Sequence, residues 1–83
     1  MKVLYKTNFI VSRKESNFDR ACEEALKHAL IILGADEDGY LKKVEGWERS
    51  TDSIEINFIR LSMMGGFMGW SYCYEFVCTV YRS

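Results

Sequence analysis

The sequence predicts a single α+β domain over residues 1–83, with the order β-α-β-β-β and one amphipathic helix packed on a four-stranded antiparallel sheet. Three observations predict this fold. Residues 2–12 and 70–82 alternate apolar and polar side chains, which is the period of half-buried strands. Residues 16–34 instead repeat apolar side chains at helical spacing. A length of 83 residues leaves no room for a second domain.

The first predicted strand covers residues 2–12. Its apolar and polar side chains separate by parity, as expected when one face of a strand is buried. The apolar set is Val3, Tyr5, Phe9 and Val11, and the polar set is Lys6, Asn8 and Ser12.

The predicted helix is SNFDRACEEALKHALIILG, residues 16–34. Ser16 and Asp19 fit an N-terminal capping pattern, and Gly34 suits the left-handed residue that commonly ends a helix. The polar turn ADEDG follows. The apolar stripe that must meet the sheet consists of Phe18, Ala21, Cys22, Ala25, Ala29, Ile32 and Leu33.

Two further strands are predicted over residues 39–49 and 53–62, separated by the turn-prone residues 50–52. The first of them suits an edge strand with a bulge, because Gly46 interrupts it. The last strand, residues 70–82, gives the clearest strand pattern in the chain. Its apolar parity consists of Trp70, Tyr72, Tyr74, Phe76, Cys78 and Val80.

The run LSMMGGFMGWSYCYEF, residues 61–76, predicts a hairpin. A two-residue turn at Gly65 and Gly66 would pair Met64 with Phe67. Carried further along the strands, this register would turn the apolar parity of the last strand away from Ile56.

A bulge that places Phe58 and Ile59 together opposite Tyr72 would restore the match, because it would pair Ile56 with Tyr74. The apolar parity of the strand does switch at this point. We therefore expect a bulged, strongly twisted hairpin, with a wider loop over residues 63–69 as the alternative.

Charge and cysteine usage restrict the class of protein. Eleven basic and twelve acidic residues give a net charge of −1, which disfavours direct nucleic-acid binding. Cys22, Cys73 and Cys78 form no C-x-x-C motif and are odd in number, so neither a disulfide framework nor a zinc ribbon is indicated. The sequence shows neither a signal peptide nor a membrane span. We therefore expect a cytoplasmic protein with no membrane contact.

The sequence nominates no catalytic site, metal site or cofactor. The glycines of the hairpin join two strands and lack the helix and basic residue of a phosphate loop. His28 cannot pair well with Cys22 on one helix face. Glu75 is expected to form a cross-strand ion pair with an arginine. These observations favour a protein that is not an enzyme.

The hairpin tip is the predicted contact surface, because it extends beyond the length of sheet that one helix can cover. Exposed methionine and aromatic side chains form adaptable binding surfaces. The alternative is that the tip folds back onto the core. The predicted partner-binding residues are Met63, Met64, Phe67, Met68 and Trp70 at the tip, together with Trp47.

The helix NFDRACEEALKHAL after an alternating first strand, with Trp47 in the following strand, resembles the layout of dodecins. Dodecins are small flavin-binding proteins that assemble into hollow oligomers. The resemblance implies a homo-oligomer that binds a flavin-like ligand, with Trp47 stacked on the flavin. The chain departs from that layout by its extra predicted strand and its Met/Gly hairpin.

The overall build also resembles that of small phage-encoded inhibitors, including anti-CRISPR proteins. The likeness rests on size, on the missing catalytic constellation and on the apolar loop. It implies a non-enzymatic protein that binds a partner protein and inhibits it by occupying its surface. The contact surface would be the hairpin tip or the acidic residues 36–38. Self-association into a homodimer is the other partner considered.

Overall fold

The computed structural model describes residues 1–67 and 69–83, which form three strands and one helix in the order β-α-β-β. The strands make one antiparallel sheet in the order β1-β3-β2. The α+β class is confirmed, but the predicted four-stranded β-α-β-β-β sheet is wrong. The elements are β1 (Lys2–Arg13), α1 (Phe18–Ile32), β2 (Asp52–Gly66) and β3 (Gly69–Arg82).

The strand predicted over residues 39–49 is instead a series of turns. Its buried side chains, Leu41, Val44 and Trp47, recur every third residue rather than every second. The Val44 amide donates to the Leu41 carbonyl at 3.2 Å, and the Trp47 amide donates to the Val44 carbonyl at 3.3 Å. Each turn thus returns one apolar side chain to the core and leaves the residues between exposed.

The end of α1 explains why this segment does not join the sheet. The helix ends in a Schellman motif: Gly34 has a φ of 70°, and the Ala35 amide donates to the Leu30 carbonyl at 2.9 Å. The amides of Lys42 and Lys43 then donate to the carbonyls of Gly34 and Leu33. Backbone donors that a sheet would need are therefore engaged at the helix end. The predicted role of Gly34 is confirmed.

The helix begins one residue later than the predicted cap. Asn17, not Ser16, is the N-cap, and its side-chain oxygen accepts a hydrogen bond from the Arg20 amide at 3.0 Å. The face that meets the sheet is lined by small side chains, which allow close approach. The fully buried residues of this face are Ala21, Ala25, Ala29 and Leu33.

The core lies between α1, the turns and one face of the sheet. On β3 the buried side chains other than Cys73 have even numbers and so share that face. Phe76 is 2% exposed and stacks on Phe9 of β1, with ring centroids 5.8 Å apart. The even-numbered core residues of β3 are Tyr74, Phe76, Cys78 and Val80.

The predicted bulge is confirmed in position but not in register. Phe58 pairs with Phe76 and Arg60 pairs with Glu75, so Ile59 is the extra residue. The predicted pairing of Ile56 with Tyr74 is wrong, because Ile56 pairs with Cys78.

The turn position accounts for the wrong register. Gly66 pairs with Gly69, so the connection starts at Phe67 rather than at Gly65, and Met64 pairs with Ser71. The ladder also excludes the wider loop over residues 63–69.

A carboxylate and a guanidinium close the base of the sheet where β2 begins and β3 ends. The buried Asp52 carboxylate accepts hydrogen bonds from the Glu48 amide at 2.7 Å and from Arg82 Nε at 2.8 Å. Arg82 Nη2 also donates to the Gly46 carbonyl at 2.7 Å. The pair therefore ties the turns to the two strands of the hairpin.

The Asp52–Arg82 pair is expected to make stability sensitive to acid. Hydrogen bonds from Arg82 lower the pKa of Asp52 from 3.8 to about 2, against the opposing effect of burial. Because the folded-state pKa lies below the unfolded one, the stabilisation is present above about pH 3.8 and is lost as the pH falls towards 2. Urea unfolding across this range should show Asp52→Asn less stable than wild type at neutral pH, with the difference shrinking in acid.

The exposed Asp38 provides the matched control. Asp38→Asn should unfold at nearly the wild-type urea concentration at every pH. A wild-type advantage over Asp52→Asn that stays constant down to pH 2 would contradict the assigned role of the Asp52 carboxylate.

Candidate binding surface on the distal hairpin

The hairpin extends beyond the rest of the sheet. β1 ends at Arg13, which pairs with Tyr72, whereas β2 and β3 continue together to Gly66 and Gly69. Beyond the Met63–Tyr72 pair, the hairpin is therefore two-stranded. The described chain measures 45 × 26 × 20 Å, an elongated shape for so short a chain.

The register places one row of apolar side chains on the helix side of this hairpin. Directly paired residues in antiparallel strands share a face. Leu61 pairs with Tyr74, which is buried on the helix side, and Met63 pairs with Tyr72. Leu61, Met63, Tyr72 and Trp70 therefore share the face that carries the core nearer the base.

The row is continuous with the start of the helix. Phe18, the first residue of α1, packs edge to face on Phe58 with ring centroids 5.0 Å apart. Phe58 in turn lies 6.3 Å from Tyr74. We call this surface the apolar strip. Its members are Phe18, Phe58, Leu61, Met63, Trp70 and Tyr72.

The Trp70 indole lies across Gly65, its partner on β2. A Cβ atom added at Gly65 would lie 2.9 Å from Trp70 Cζ3 and 3.0 Å from Cε3. Only glycine leaves space for the ring to cross the neighbouring strand in this way. Trp70 is nevertheless 64% exposed. The glycine thus allows a large aromatic ring to pack on the neighbouring strand while most of the ring stays exposed.

Gly65→Ala is expected to displace the Trp70 indole without unfolding the protein. The clash involves the end of a side chain that can rotate towards solvent, so the free energy of unfolding should change by about 1 kcal/mol or less. In a ¹H–¹⁵N spectrum the Trp70 indole resonance should move while that of the buried Trp47 stays. Gly66→Ala is the control, because nothing lies within 4 Å of a Cβ there. Equal indole shifts in both variants would contradict the packing of Trp70 on Gly65.

The strip is free of charge along the hairpin. No acidic or basic residue occurs from Leu61 to Tyr74. The ion pair of Arg60 Nε with Glu75 Oε1, at 2.8 Å, confirms the cross-strand pair predicted for Glu75. This ion pair lies on the opposite face of the sheet, because Glu75 is adjacent to Tyr74 on β3 and Arg60 is the partner of Glu75 on β2.

The predicted tip residues separate into two groups. Met63, Phe67 and Trp70 are exposed, with Met63 55% exposed and Phe67 fully so. Met64 is also exposed but pairs with Ser71 and so faces the other side of the hairpin. Met68 lies outside the described residues. The alternative that the tip folds back onto the core is wrong for the exposed residues.

Trp47, which was also predicted to contact a partner, is buried. Its side chain is only 8% exposed and belongs to the core cluster with Leu41, Val44, Cys78 and Val80. The expectation of an exposed Trp47 is therefore wrong. The indole also offers no open face on which a flavin could stack, which removes the residue basis of the dodecin-like ligand.

One of the acidic residues 36–38 forms hydrogen bonds within its own turn. The Asp36 carboxylate accepts hydrogen bonds from the amides of Asp38 and Tyr40, both at 2.9 Å. This Asx-type turn explains why an aspartate follows the helix end. Only part of the acidic cluster is therefore free to serve as a contact surface.

Four members of the strip were not predicted as contacts: Phe18, Phe58, Leu61 and Tyr72. The switch of apolar parity near Ile59 was the available signal for Leu61, because it places residues 61 and 63 on one face. Phe18 gave no such signal. Its helical spacing predicts burial, yet it is 48% exposed because the helix starts there and nothing described covers its outer side.

The side chains that could bind a metal ion are not clustered in the described part of the chain. Within residues 1–67 and 69–83, no three His, Cys, Asp or Glu side chains are grouped to hold a metal ion. The three cysteines are free thiols, and burial raises the pKa of the Cys78 thiol. In this same part of the chain, no helix has the length and apolar character needed to cross a membrane.

Comparison of the chain with protein-family models, curated proteins and solved structures finds no significant match.

Proposed function

We propose that this chain is a non-enzymatic protein-binding protein that acts by placing the apolar strip on the surface of a partner protein. The observation that carries the proposal is the exposed strip with the Trp70 indole packed on Gly65. A surface of this composition is unfavourable in water unless it is covered.

The size and composition of the strip fit a protein partner. Together with Phe67, it presents roughly 500–700 Å² of side-chain surface, judged from the usual areas of such residues. The largest apolar patch of a typical monomer is about 300–600 Å² and is often functional. Tryptophan, phenylalanine and methionine are also enriched at protein interfaces.

The proposal extends to an inhibitory mode of action. A protein that covers part of a partner's surface inhibits that partner when the covered part is needed for another contact. The build that resembles small phage-encoded inhibitors of host defence supports this form of the proposal. The three free thiols support a reducing, cytoplasmic location.

Capture from a lysate of the source organism tests the proposal when paired variants are compared. Wild type and Ile10→Thr should retain the same partner, whereas Met63→Thr should lose it. Ile10 is a matched control, because it is an exposed apolar strand residue that pairs with Glu75 on the opposite face. Threonine keeps the strand propensity at both positions.

The captured partner must then bind the purified protein directly, with circular dichroism confirming that both variants are folded. Retention of the partner by Met63→Thr, or loss by both variants alike, would contradict binding through the strip.

An absorbance spectrum of the purified protein separates this proposal from the flavin-binding alternative. We expect no band in the visible region, because Trp47 is buried in the core. A yellow protein that contains a stoichiometric flavin would contradict the proposed function.

A further inference from the structure

The two edges of the sheet differ in how they resist pairing with another strand. β1 is one edge, and it carries Lys2, Lys6 and a bulge between Val3 and Tyr5. Lysines and bulges are common devices that stop an edge strand from pairing with other chains. β2 is the other edge, and it bulges at Ile59.

Beyond that bulge, the edge of β2 has no such protection. Residues 61–66 read LSMMGG and contain no charge and no proline. Half of the backbone groups of an edge strand point away from its one neighbour and can pair with a further strand. This distal edge is therefore open to a partner strand.

We propose that two copies of the chain pair through this edge, with residues 60–66 of each β2 antiparallel across a two-fold axis. An isologous contact brings each surface against its own copy, so a patch of one charge sign would repel itself. The distal edge avoids that repulsion because it is neutral from Leu61 outward.

A two-fold axis at Met63 gives a self-compatible register. Residues whose numbers sum to 126 then face each other, so the two residues of each pair lie on the same face of the joined sheet. Leu61 of one copy lies opposite Gly65 of the other, the residue that the Trp70 indole crosses. Leu61 thus gains an aromatic neighbour, and Arg60 meets Gly66 rather than another charge.

Pairing in this way places the two apolar strips side by side on the same face of a six-stranded sheet. A single strip is smaller than the roughly 800 Å² that each side of a standard interface buries. Two joined strips exceed that area. The dimer itself is independent of the proposed function, whereas the use of the joined strips for a foreign partner depends on it.

Light scattering after size exclusion tests the dimer with two lysine variants on the same strand. Ser62 is exposed and pairs with Cys73, so it lies on the face opposite the strip, and Ser62→Lys leaves the strip unchanged. Ser53→Lys makes the same change at the other end of β2, outside the distal edge. Wild type and Ser53→Lys should show twice the 9.7 kDa mass of the chain, and Ser62→Lys should show one chain mass.

Hydrogen exchange of wild type provides a second measurement that needs no variant. Amides within residues 60–66 should exchange more slowly in concentrated than in dilute protein, whereas β1 amides should not change. A wild type of one chain mass at all concentrations would overturn the dimer, as would two lysine variants that behave alike. Loss of the dimer in Met63→Thr but not in Ser62→Lys would overturn edge pairing in favour of packing strip against strip.

These outcomes are separable from a failure of the proposed function. If the wild type is a monomer and captures a partner that the Met63→Thr variant does not, the proposed function stands without the dimer. A dimer that captures no partner leaves the edge pairing intact.

Discussion

Phe76→Ala should destabilise the protein by about 3–5 kcal/mol, the usual cost of removing a buried phenylalanine side chain. Phe76 is 2% exposed at the centre of the sheet. Its ring stacks on Phe9 and meets Phe58 edge to face, with centroids 5.7 Å apart. Removing the ring leaves a cavity that two aromatic neighbours on the flanking strands cannot fill without moving. Guanidinium unfolding followed by circular dichroism gives the free energy of unfolding.

The loss is a large fraction of the stability that small domains possess, about 5–15 kcal/mol. Ile10→Ala is the control, because Ile10 is an exposed residue on the opposite face of β1 and should cost about 0.5 kcal/mol or less. Similar losses in the two variants would show that Phe76 does not hold the helix and sheet together.

Trp70→Thr should weaken binding of the captured partner by roughly 30-fold or more, the effect expected at an interface hot spot of about 2 kcal/mol. Trp70 combines a large exposed area with packing of its ring on Gly65, and both favour a dominant share of the binding energy. Isothermal titration of the purified partner measures the change.

Two comparisons make this result specific to the strip. Ile10→Thr removes an exposed apolar side chain from the opposite face and should leave the affinity unchanged. Gly65→Ala keeps the indole but displaces it, and should weaken binding by less than Trp70→Thr does. An unchanged affinity in a folded Trp70→Thr variant would remove Trp70 from the interface.

The sequence was sufficient for the hairpin and its bulge but not for its register. Apolar parity changes near Ile59, and a strand can change parity only by adding a residue. The position of the turn depends instead on contacts across the hairpin, and these differ between Gly65 and Gly66. Gly65 is needed beneath the Trp70 ring, a contact between two strands that the local sequence does not specify.

The predicted strand over residues 39–49 failed for a different physical reason. Leu41, Val44 and Trp47 are spaced in a way that fits turns as well as a bulged strand. Unpaired carbonyls at the end of α1 decide between the two, because they accept the amides of Lys42 and Lys43. That competition exists only once the helix has formed, so the residue pattern of 39–49 alone does not show it.

The sequence predicted the location of the candidate surface at the hairpin tip but not the full set of residues that form it. Residues at the tip were expected to lie beyond the reach of one helix, and Met63, Phe67 and Trp70 do so. Trp47 was wrongly included, because its burial depends on the turns that replace the predicted strand. Phe18 was missed, since its exposure depends on where the helix starts relative to the hairpin.

Oxidative footprinting of the complex tests the central claim, that the apolar strip is the surface that binds the partner. Met63 and Met64 are adjacent, both exposed, and on opposite faces of the hairpin, so each is an internal control for the other. Partner binding should protect Met63 and Trp70 from hydroxyl radicals while Met64 reacts as in the free protein. Equal reactivity of Met63 in the free and bound protein, or equal protection of both methionines, would contradict the claim.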